Sequence, residues 1–193
     1  VDLCGHATLA TAHVLFNHLD FDGESIKFSS ASGILYVRKG KEGLIFLDFP
    51  AHKPLTVKNE DIYEEAMGMK PKSALKGKKL MLVYEHEDEV INLRPDFQQL
   101  IQLNDIGVIA TAEGKDFDFV SRFFAPAVGI DEDPVTGSAH THRIPYWSEI
   151  LNKHYLRAWQ CSGRGGILLC ENHDGRVHIG GNAVTYMNGY IHI

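Results

Sequence analysis

The chain has 193 residues and carries 25 acidic against 19 basic side chains, a formal net charge of −6. This acidic balance argues against nucleic-acid binding, which needs a basic surface. No apolar run reaches the length of a membrane-spanning helix, and the three cysteines form neither an even framework nor a CxxC pair. We therefore expect a soluble, cytoplasmic chain of one or two domains that does not bind nucleic acid or membranes.

The first part of the chain predicts one helix followed by three strands. Residues 6–18 are apolar on nearly every face, which predicts a central helix enclosed by the rest of its domain. The three strand-like runs lie at residues 25–30, 33–38 and 44–49. Prolines on both sides of His52 then predict a linker, so residues 1–52 are assigned to the remainder of an N-terminal domain.

Residues 57–182 predict a C-terminal domain of mixed helices and strands. Helices are predicted at residues 59–67 and 95–103, and strands at 79–85, 107–112, 117–124, 167–171 and 176–179. A second candidate central helix begins after Asp133 and contains Pro145, whose missing N–H must weaken or kink it. The chain ends in a predicted strand at residues 183–193.

Two short segments share one physical design, a glycine turn that leads into an apparent helix. They are CGHAT, which begins at Cys4, and DPVTGSAH, which begins at Asp133. A glycine at a helix start lets a ligand approach unpaired backbone N–H groups, and the helix dipole there favours negative charge. With an imidazole in one segment and a carboxylate in the other, they predict two pseudo-equivalent domains that close on an anionic substrate.

These segments resemble the signature stretches of the phenazine biosynthesis PhzF-like family, which shares the fold of diaminopimelate epimerase and proline racemase. The resemblance rests on DLCGHATLATAHVLF, on FDFVSRFFAPAVGIDEDPVTGSAH with the PYW that follows, and on LRAWQCSGRGGILL. It implies an α+β fold of two pseudo-equivalent domains, each a mostly antiparallel sheet or roll around a central helix. It also implies a homodimer and a final strand, residues 183–193, that returns to the N-terminal domain.

The resemblance further implies a cofactor-independent isomerase that acts by general acid/base proton transfer on a small carboxylate-bearing molecule. His6 and Asp133 match its catalytic positions, and both side chains can donate or accept a proton near neutral pH in a suitable cleft. The expected substrate-binding residues are Gly5, Thr136, Gly137, Ser138 and Arg164. Arg164 joins this set because glycines flank it, which would let its side chain clamp a carboxylate from a loop.

Family members resemble this chain with a preceding stretch added, which carries an Asn-Leu-Ser-Glu-Thr-like segment and the principal proton-transfer glutamate. The chain opens at Val1, almost directly on its first motif, and contains no such segment. We therefore expect a fragment with impaired catalysis. A non-catalytic member of the fold, kept for ligand binding or protein interaction, stays open as the alternative.

Racemases of this fold place one cysteine on each side of the substrate carbon. Cys4 occupies the first position, but Val135 follows Pro134 at the second and cannot accept a proton, so we do not expect racemisation. Structural interpretations stay open for several residues: Cys4 as a small buried hydrophobic residue, His6 as a packing residue, Asp133 and Ser138 as helix caps, and Arg164 as a solvated turn residue.

Eleven histidines raise the question of a metal site. His140 and His142 are two residues apart on a predicted helix and so do not share a face. Other histidines are scattered over predicted hairpins without carboxylate or thiol spacing: His173, His178 and His192. We expect no metal site, and no cofactor either, because GxGxxG, Walker and Schiff-base lysine motifs are missing.

Arg143 is the unusual residue of the second candidate central helix. By resemblance, relatives carry small apolar residues in this stretch. A buried helix should not accommodate a guanidinium, so either this face is open or the residue is exceptional.

Overall fold

The structure is a computed structural model that describes residues 4–19, 21–31, 33–173 and 175–190. Its helices are α1 (Gly5–His18), α2 (Asp61–Met67), α3 (Glu87–Asn92), α4 (Phe97–Gln102) and α5 (Gly137–Leu151). Its strands are β1 (Ser25–Ser30), β2 (Gly33–Lys39), β3 (Ile45–Pro50), β4 (Leu55–Val57), β5 (Ser73–Lys76), β6 (Leu80–Val83), β7 (Val108–Glu113), β8 (Phe119–Phe124), β9 (Tyr155–Gln160), β10 (Gly166–His173) and β11 (Arg176–Gly181). No helix in these ranges is long and apolar enough to cross a membrane.

All the strands belong to one sheet with the order β1-β2-β3-β11-β10-β9-β8-β7-β6-β5-β4. Neighbours are antiparallel except for two pairs, β6 with β7 and β8 with β9. Strand β11 joins the two parts of the chain, because it pairs with β10 on one side and with β3 on the other. The combination of helices with this large mixed sheet confirms the predicted α+β class.

Alternate residues of strands β5 to β8 pack into two cores on opposite faces of the sheet, as the period of two requires. On one face Met81 and Ile109 belong to the core that α1 and α5 cover. On the other face Leu82 and Ala110 belong to the core that α2, α3 and α4 cover. Helices α1 and α5 therefore share one face of the sheet, which allows them to meet.

Local sequence signals explain where several helices begin and end. Asp96 caps α4, since its Oδ1 accepts hydrogen bonds from the backbone N–H groups of Gln98 and Gln99 at 2.9 and 3.2 Å. Gly68 ends α2 in the left-handed conformation, with φ at 74°. Such signals placed the predicted helices within a few residues of their observed bounds.

Helix α1 is less enclosed than its apolar sequence predicts. Its buried residues are Gly5, Ala12 and Phe16, whereas Val14 is 44% exposed. The helix packs mainly against β3 and α5. Within the described residues α1 is thus only partly enclosed, and the expectation of a helix buried on nearly every face is not met.

The predicted final strand is not found. Residues 182–190 form neither helix nor strand, and residues 191–193 lie outside the described residues. Instead, the hydroxyl of Thr185 lies 3.0 Å from His13 Nε2 and 2.6 Å from His18 Nε2, which fastens this segment to α1. The division into domains at residues 1–52 and 57–182 stays a proposal.

The middle of α5 buries consecutive polar side chains. His140, Thr141, His142 and Arg143 are each at most 2% exposed. This face of the helix is thus closed, which resolves the question raised by Arg143 in favour of an exceptional residue. Burial and the charge of nearby Lys79 lower the pKa of His142 to about 3.

We expect His142 to make the fold sensitive to acid. Its pKa is about 3 when folded and 6.5 when unperturbed, so below pH 6.5 the unfolded chain binds a proton that the folded chain does not. Stability is therefore lost as the pH falls. His142→Gln should remove about 2 kcal/mol of the loss between pH 7 and pH 5, measured by urea unfolding at both values. Exposed His86→Gln is the control, and an unchanged pH dependence in His142→Gln would contradict the prediction.

Candidate active site

The starts of α1 and α5 meet at their first residues, Gly5 and Gly137. A methyl group added to Gly5 would lie 3.2 Å from the Cα of Gly137, and one added to Gly137 would lie 3.3 Å from the Cα of Gly5. Glycine permits this close approach of two backbones because it has no Cβ. The two segments singled out in the sequence are therefore brought together at one point.

Both helix starts are free of side-chain caps. The N-cap residues Cys4 and Thr136 make no side-chain hydrogen bond to their helices within the described structure, and neither first turn contains an acidic residue. Backbone N–H groups at each start are thus left without a capping side chain, and the positive ends of both helix dipoles lie together. This arrangement favours an anionic ligand such as a carboxylate.

The carboxylate of Asp133 is held by its own turn just before α5. Thr136 Oγ1 donates a hydrogen bond to Asp133 Oδ2 at 2.6 Å, and the backbone N–H of Asp133 donates to the carbonyl of Phe123 at 3.0 Å. The carboxylate accepts its hydrogen bond from a side-chain hydroxyl and none from the backbone N–H groups at the start of α5. The alternative interpretation, in which Asp133 caps α5, is therefore not supported. Thr136 is only 6% exposed, so this hydroxyl is both buried and engaged by Asp133.

Gln160 is a site residue that the sequence analysis missed. Its side chain is fully buried, its Nε2 donates to the carbonyl of Asp133 at 2.7 Å, and its Oε1 accepts from the backbone N–H of Thr136 at 2.9 Å. It therefore fixes both ends of the Asp133 turn. A signal was present in β9, where Leu156 and Ala158 are buried and Gln160 follows at the same period of two.

Replacing Gln160 with Met should loosen this turn. The variant leaves the carbonyl of Asp133 and the N–H of Thr136 buried without their partner, so we expect the free energy of unfolding to fall by about 2 kcal/mol. Chemical denaturation measures the change, with exposed Gln98→Met on α4 as the matched control. Equal stability of the two variants would show that Gln160 does not hold the turn.

His6 is exposed at the start of α1, and its Nε2 lies 3.6 Å from the Sγ of Cys4. Cys4 is half-buried, so its interpretation as a buried hydrophobic residue is not supported. Ser138 is also half-buried, and its hydroxyl makes no hydrogen bond within the described ranges, so it does not cap α5. All three side chains are thus accessible to a ligand to some degree.

The loop that carries Arg164 lies against the second segment. Ser162 Oγ donates to the carbonyl of Pro134 at 2.7 Å, and a methyl group on Gly166 would lie 2.6 Å from Val135 Cγ2. Arg164 is exposed and has no hydrogen-bond or ion-pair partner among the described residues. The loop therefore presents a long, exposed cationic side chain on the Asp133 side of the site. Its contact with a substrate stays a prediction.

One expectation about metal ligands is wrong. His173 and His178 do not stand apart from carboxylates, because the β10–β11 hairpin brings both to Glu171. The sequence analysis overlooked Glu171, which lies two residues before His173.

These observations define an α+β protein with a candidate anion site where two glycine-led helices meet beside a held carboxylate. The chain belongs to the phenazine biosynthesis-like (PhzC-PhzF) protein family, whose model matches residues 1–189. This confirms the resemblance seen in the sequence motifs.

Relatives agree with this membership. The chain is 52% identical to a Pseudomonas aeruginosa protein named as an uncharacterized isomerase, with all of this chain and 74% of that protein covered. It is 47% identical to a PhzF-family protein of Enterococcus faecalis whose crystal structure superposes with a TM-score of 0.94, covering all of this chain and 74% of that one. A Clostridium difficile structure described as a putative PhzC/PhzF protein is 43% identical, with a TM-score of 0.91 and the same coverage.

Proposed function

We propose that this protein is a cofactor-independent isomerase that moves a proton within a small carboxylate-bearing molecule at the junction of α1 and α5. The observation that carries the proposal is the meeting of two helix starts without side-chain caps at Gly5 and Gly137, beside the carboxylate of Asp133. The naming of a 52% identical relative as an isomerase supports it.

In this proposal the substrate carboxylate binds the free N–H groups of the helix starts, where two dipoles favour negative charge. Arg164 reaches the same carboxylate from its loop. Gly5 and Gly137 let the two helix starts approach closely enough to act on one ligand, and the hydroxyl of Ser138 contacts it. Substrate orientation then follows from the fixed backbone and does not depend on a cofactor.

Asp133 and His6 carry the proton in this proposal. One of them removes a proton from a carbon next to a double bond, the double bond shifts by one position, and the other returns a proton to the new terminus. Atoms and electrons balance without an oxidant or reductant. Thr136 is a positioning residue, because its buried hydroxyl holds Asp133 Oδ2 at 2.6 Å.

Exchange of carbon-bound hydrogen with solvent tests this function. The chain is incubated in D₂O with isomers of cyclohexenecarboxylate, and deuterium uptake and double-bond migration are followed by NMR. We expect His6→Asn and Asp133→Asn each to slow exchange by about 100-fold or more, in the range for loss of a general acid or base. Asp131→Asn, which neutralises an exposed carboxylate two residues away, is the matched control.

The outcomes separate the isomerase from the alternative. Exchange that depends on His6 and Asp133 supports catalysis, whereas carboxylate binding without exchange favours a non-catalytic ligand-binding member of the fold. The same assay on a form extended by the additional segment of the Pseudomonas relative tests the expected contribution of a further glutamate. Loss of both binding and exchange in that form would reject the proposal.

Racemisation through a cysteine pair is tested by Cys4→Ala. Val135 occupies the second cysteine position and packs partly buried against the main core, so a thiol acts from one side at most. We expect exchange in Cys4→Ala to stay within about twofold of the unmodified chain, since no proton passes through Cys4. A loss comparable to that of Asp133→Asn would restore the racemase interpretation.

Homodimerisation belongs to the proposal through family resemblance. Sizing chromatography at two concentrations tests it, and a concentration-independent monomer would reject it.

A further inference from the structure

The geometry points to a binding site for a divalent transition-metal ion, formed by Glu171, His173 and His178 on the β10–β11 hairpin. One ligand atom from each side chain lies within 4.8 Å of the others. His173 Nε2 is 3.0 Å from Glu171 Oε2, and His178 Nδ1 is 2.9 Å from the same oxygen. Three donor atoms of the right chemistry thus converge on one place.

The two separations from Glu171 are close to what a small cation requires, whereas the two histidine donor atoms, within 4.8 Å of each other, must move closer together. Ligand atoms about 2.0–2.1 Å from a tetrahedral Zn²⁺ are separated from each other by about 3.3 Å. The two pairs at Glu171 need to open by only a few tenths of an ångström, which small side-chain rotations provide. Two imidazoles and one carboxylate suit Zn²⁺, Ni²⁺, Cu²⁺ and Co²⁺ better than the oxygen-seeking Mg²⁺ or Ca²⁺.

The backbone itself sets this placement. Glu171 lies directly opposite His178 in the antiparallel pairing of β10 with β11. His173 follows Glu171 by two residues and so points to the same face of the sheet. Cys170 and Val177, their neighbours in sequence, belong to the core under α1 and α5. The cluster is therefore on the opposite face of the sheet from those helices and separate from the proposed active site.

Surrounding charges supply the outer partners that metal ligands usually have. Arg38 Nη2 lies 3.3 and 3.2 Å from the two carboxylate oxygens of Glu171, which orients the carboxylate. His178 turns its other nitrogen, Nε2, toward Asp48 Oδ1 at 3.7 Å, and Arg176 holds the same Asp48 oxygen at 2.5 Å. Arg38 therefore orients Glu171, and the carboxylate of Asp48 lies near the ring nitrogen of His178 that faces away from Glu171.

The charges around the cluster set the affinity that we expect for a cation. An ionised carboxylate offsets one of the two charges of the incoming cation. Because Arg38 opposes the cation, we expect moderate affinity rather than the affinity of a closed structural zinc site.

Solvent can reach the cluster. His173 is 47% exposed, and both histidines line a surface cavity of about 560 Å³ whose other lining residues are His154, Asn172 and Arg176. An ion can therefore enter without unfolding of the hairpin. Its remaining coordination positions face the cavity and would be taken by water.

Calorimetric titration of the 193-residue chain with Zn²⁺ tests this site, with the visible absorption of Co²⁺ as a second probe. We expect one equivalent to bind in the unmodified chain. His173→Ala, His178→Ala and Glu171→Gln should each weaken binding by about 100-fold or more, since even outer partners are worth 10–100-fold.

The matched control is the double variant His13→Ala/His18→Ala, which removes two neighbouring histidines whose ring centres lie 5.8 Å apart on α1. Unchanged Zn²⁺ binding in this control, together with loss in the hairpin variants, supports the site. Equal losses in control and hairpin variants, or the absence of a one-equivalent event below millimolar Zn²⁺, would overturn it. His173 is about half exposed, so His173→Ala should unfold close to the temperature of the unmodified chain, and this comparison separates lost ligation from lost folding.

Discussion

A valine at Gly5 is expected to push the starts of α1 and α5 apart and to weaken carboxylate binding at their junction by about 100-fold or more. A Cβ at this position would already lie 3.2 Å from the Cα of Gly137 and 3.6 Å from Leu47 Cδ1. The first of these neighbours is backbone at the start of a 15-residue helix and cannot rotate away. The two added γ-carbons require still more space.

The loss of affinity has two parts. Each helix start contributes up to about 2 kcal/mol to binding of an anion, and separating them removes the site where both act together. The displaced start of α1 also moves its own backbone N–H groups away from the position where they would bind the ligand. About 100-fold corresponds to about 2.7 kcal/mol, which lies within the sum of these effects.

Stability should also fall, by an amount no larger than the loss of binding free energy. Glycine is a poor helix residue, so valine regains a few tenths of a kcal/mol in helix propensity, while the local strain costs about 1–3 kcal/mol. Cyclohexenecarboxylate binding is measured by calorimetry and unfolding by urea titration. Gly189→Val is the matched control, because a Cβ at exposed Gly189 meets nothing within 4 Å and this residue lies outside the proposed site. Full affinity in Gly5→Val would show that the ligand does not bind where the helices meet.

The two helix starts were predictable because their signals are local. A glycine turn followed by apolar residues marks each start, and helix bounds near Gly5 and Gly137 follow from neighbouring residues alone. The pairing of the two starts was predictable only through the family resemblance. Their contact depends on α1 and α5 covering the same face of the sheet, which no local pattern specifies.

The site residues that the sequence analysis missed depend on contacts between different elements of the chain. Gln160 reaches Asp133 across 27 positions, and Glu171 meets His178 through strand register. A spacing rule for metal ligands on one element cannot detect a set that two paired strands complete. Short strands such as β4 and β5 were not predicted, because three or four residues show too little alternation of apolar and polar side chains.

Arg143 is a residue that the sequence singled out correctly but whose surroundings it could not predict. The sequence correctly marks it as out of place in a buried helix, and the structure shows how it is accommodated. Its Nη1 donates to Ser121 Oγ and lies 3.4 Å from His140 Nε2, while its Nε and Nη2 have no hydrogen-bond partner among the described residues. His140 in turn holds the carbonyl of Thr136 through Nδ1 at 2.8 Å.

Replacing Arg143 with methionine is therefore expected to stabilise the protein, by about 1–3 kcal/mol at pH 8. Methionine fills much of the same volume and leaves no charge to desolvate. The gain is smaller than the full cost of burying a guanidinium, because Ser121 and His140 each lose a donor. The bond from His140 to Thr136 remains, so carboxylate affinity at the helix junction should stay within about threefold.

The pH dependence of this gain identifies its cause. Burial lowers the pKa of Arg143 from 12.5 to about 9, although nearby Cys170, Cys161 and Asp133 oppose the shift. Between these two values the unfolded chain binds a proton that the folded chain does not, so the unmodified protein gains stability as the pH rises. The advantage of Arg143→Met should therefore shrink by about 2–3 kcal/mol between pH 8 and pH 11.

Urea unfolding of both chains at pH 8 and pH 11 measures this difference, and titration of the lysines and tyrosines common to both chains cancels in the comparison. Exposed Arg157→Met on β9 is the control and should show no such convergence. A less stable Arg143→Met at pH 8 would mean that the guanidinium contributes more through its contacts than its burial costs. A gain that is constant with pH would mean that better packing, rather than removal of a buried charge, stabilises the variant.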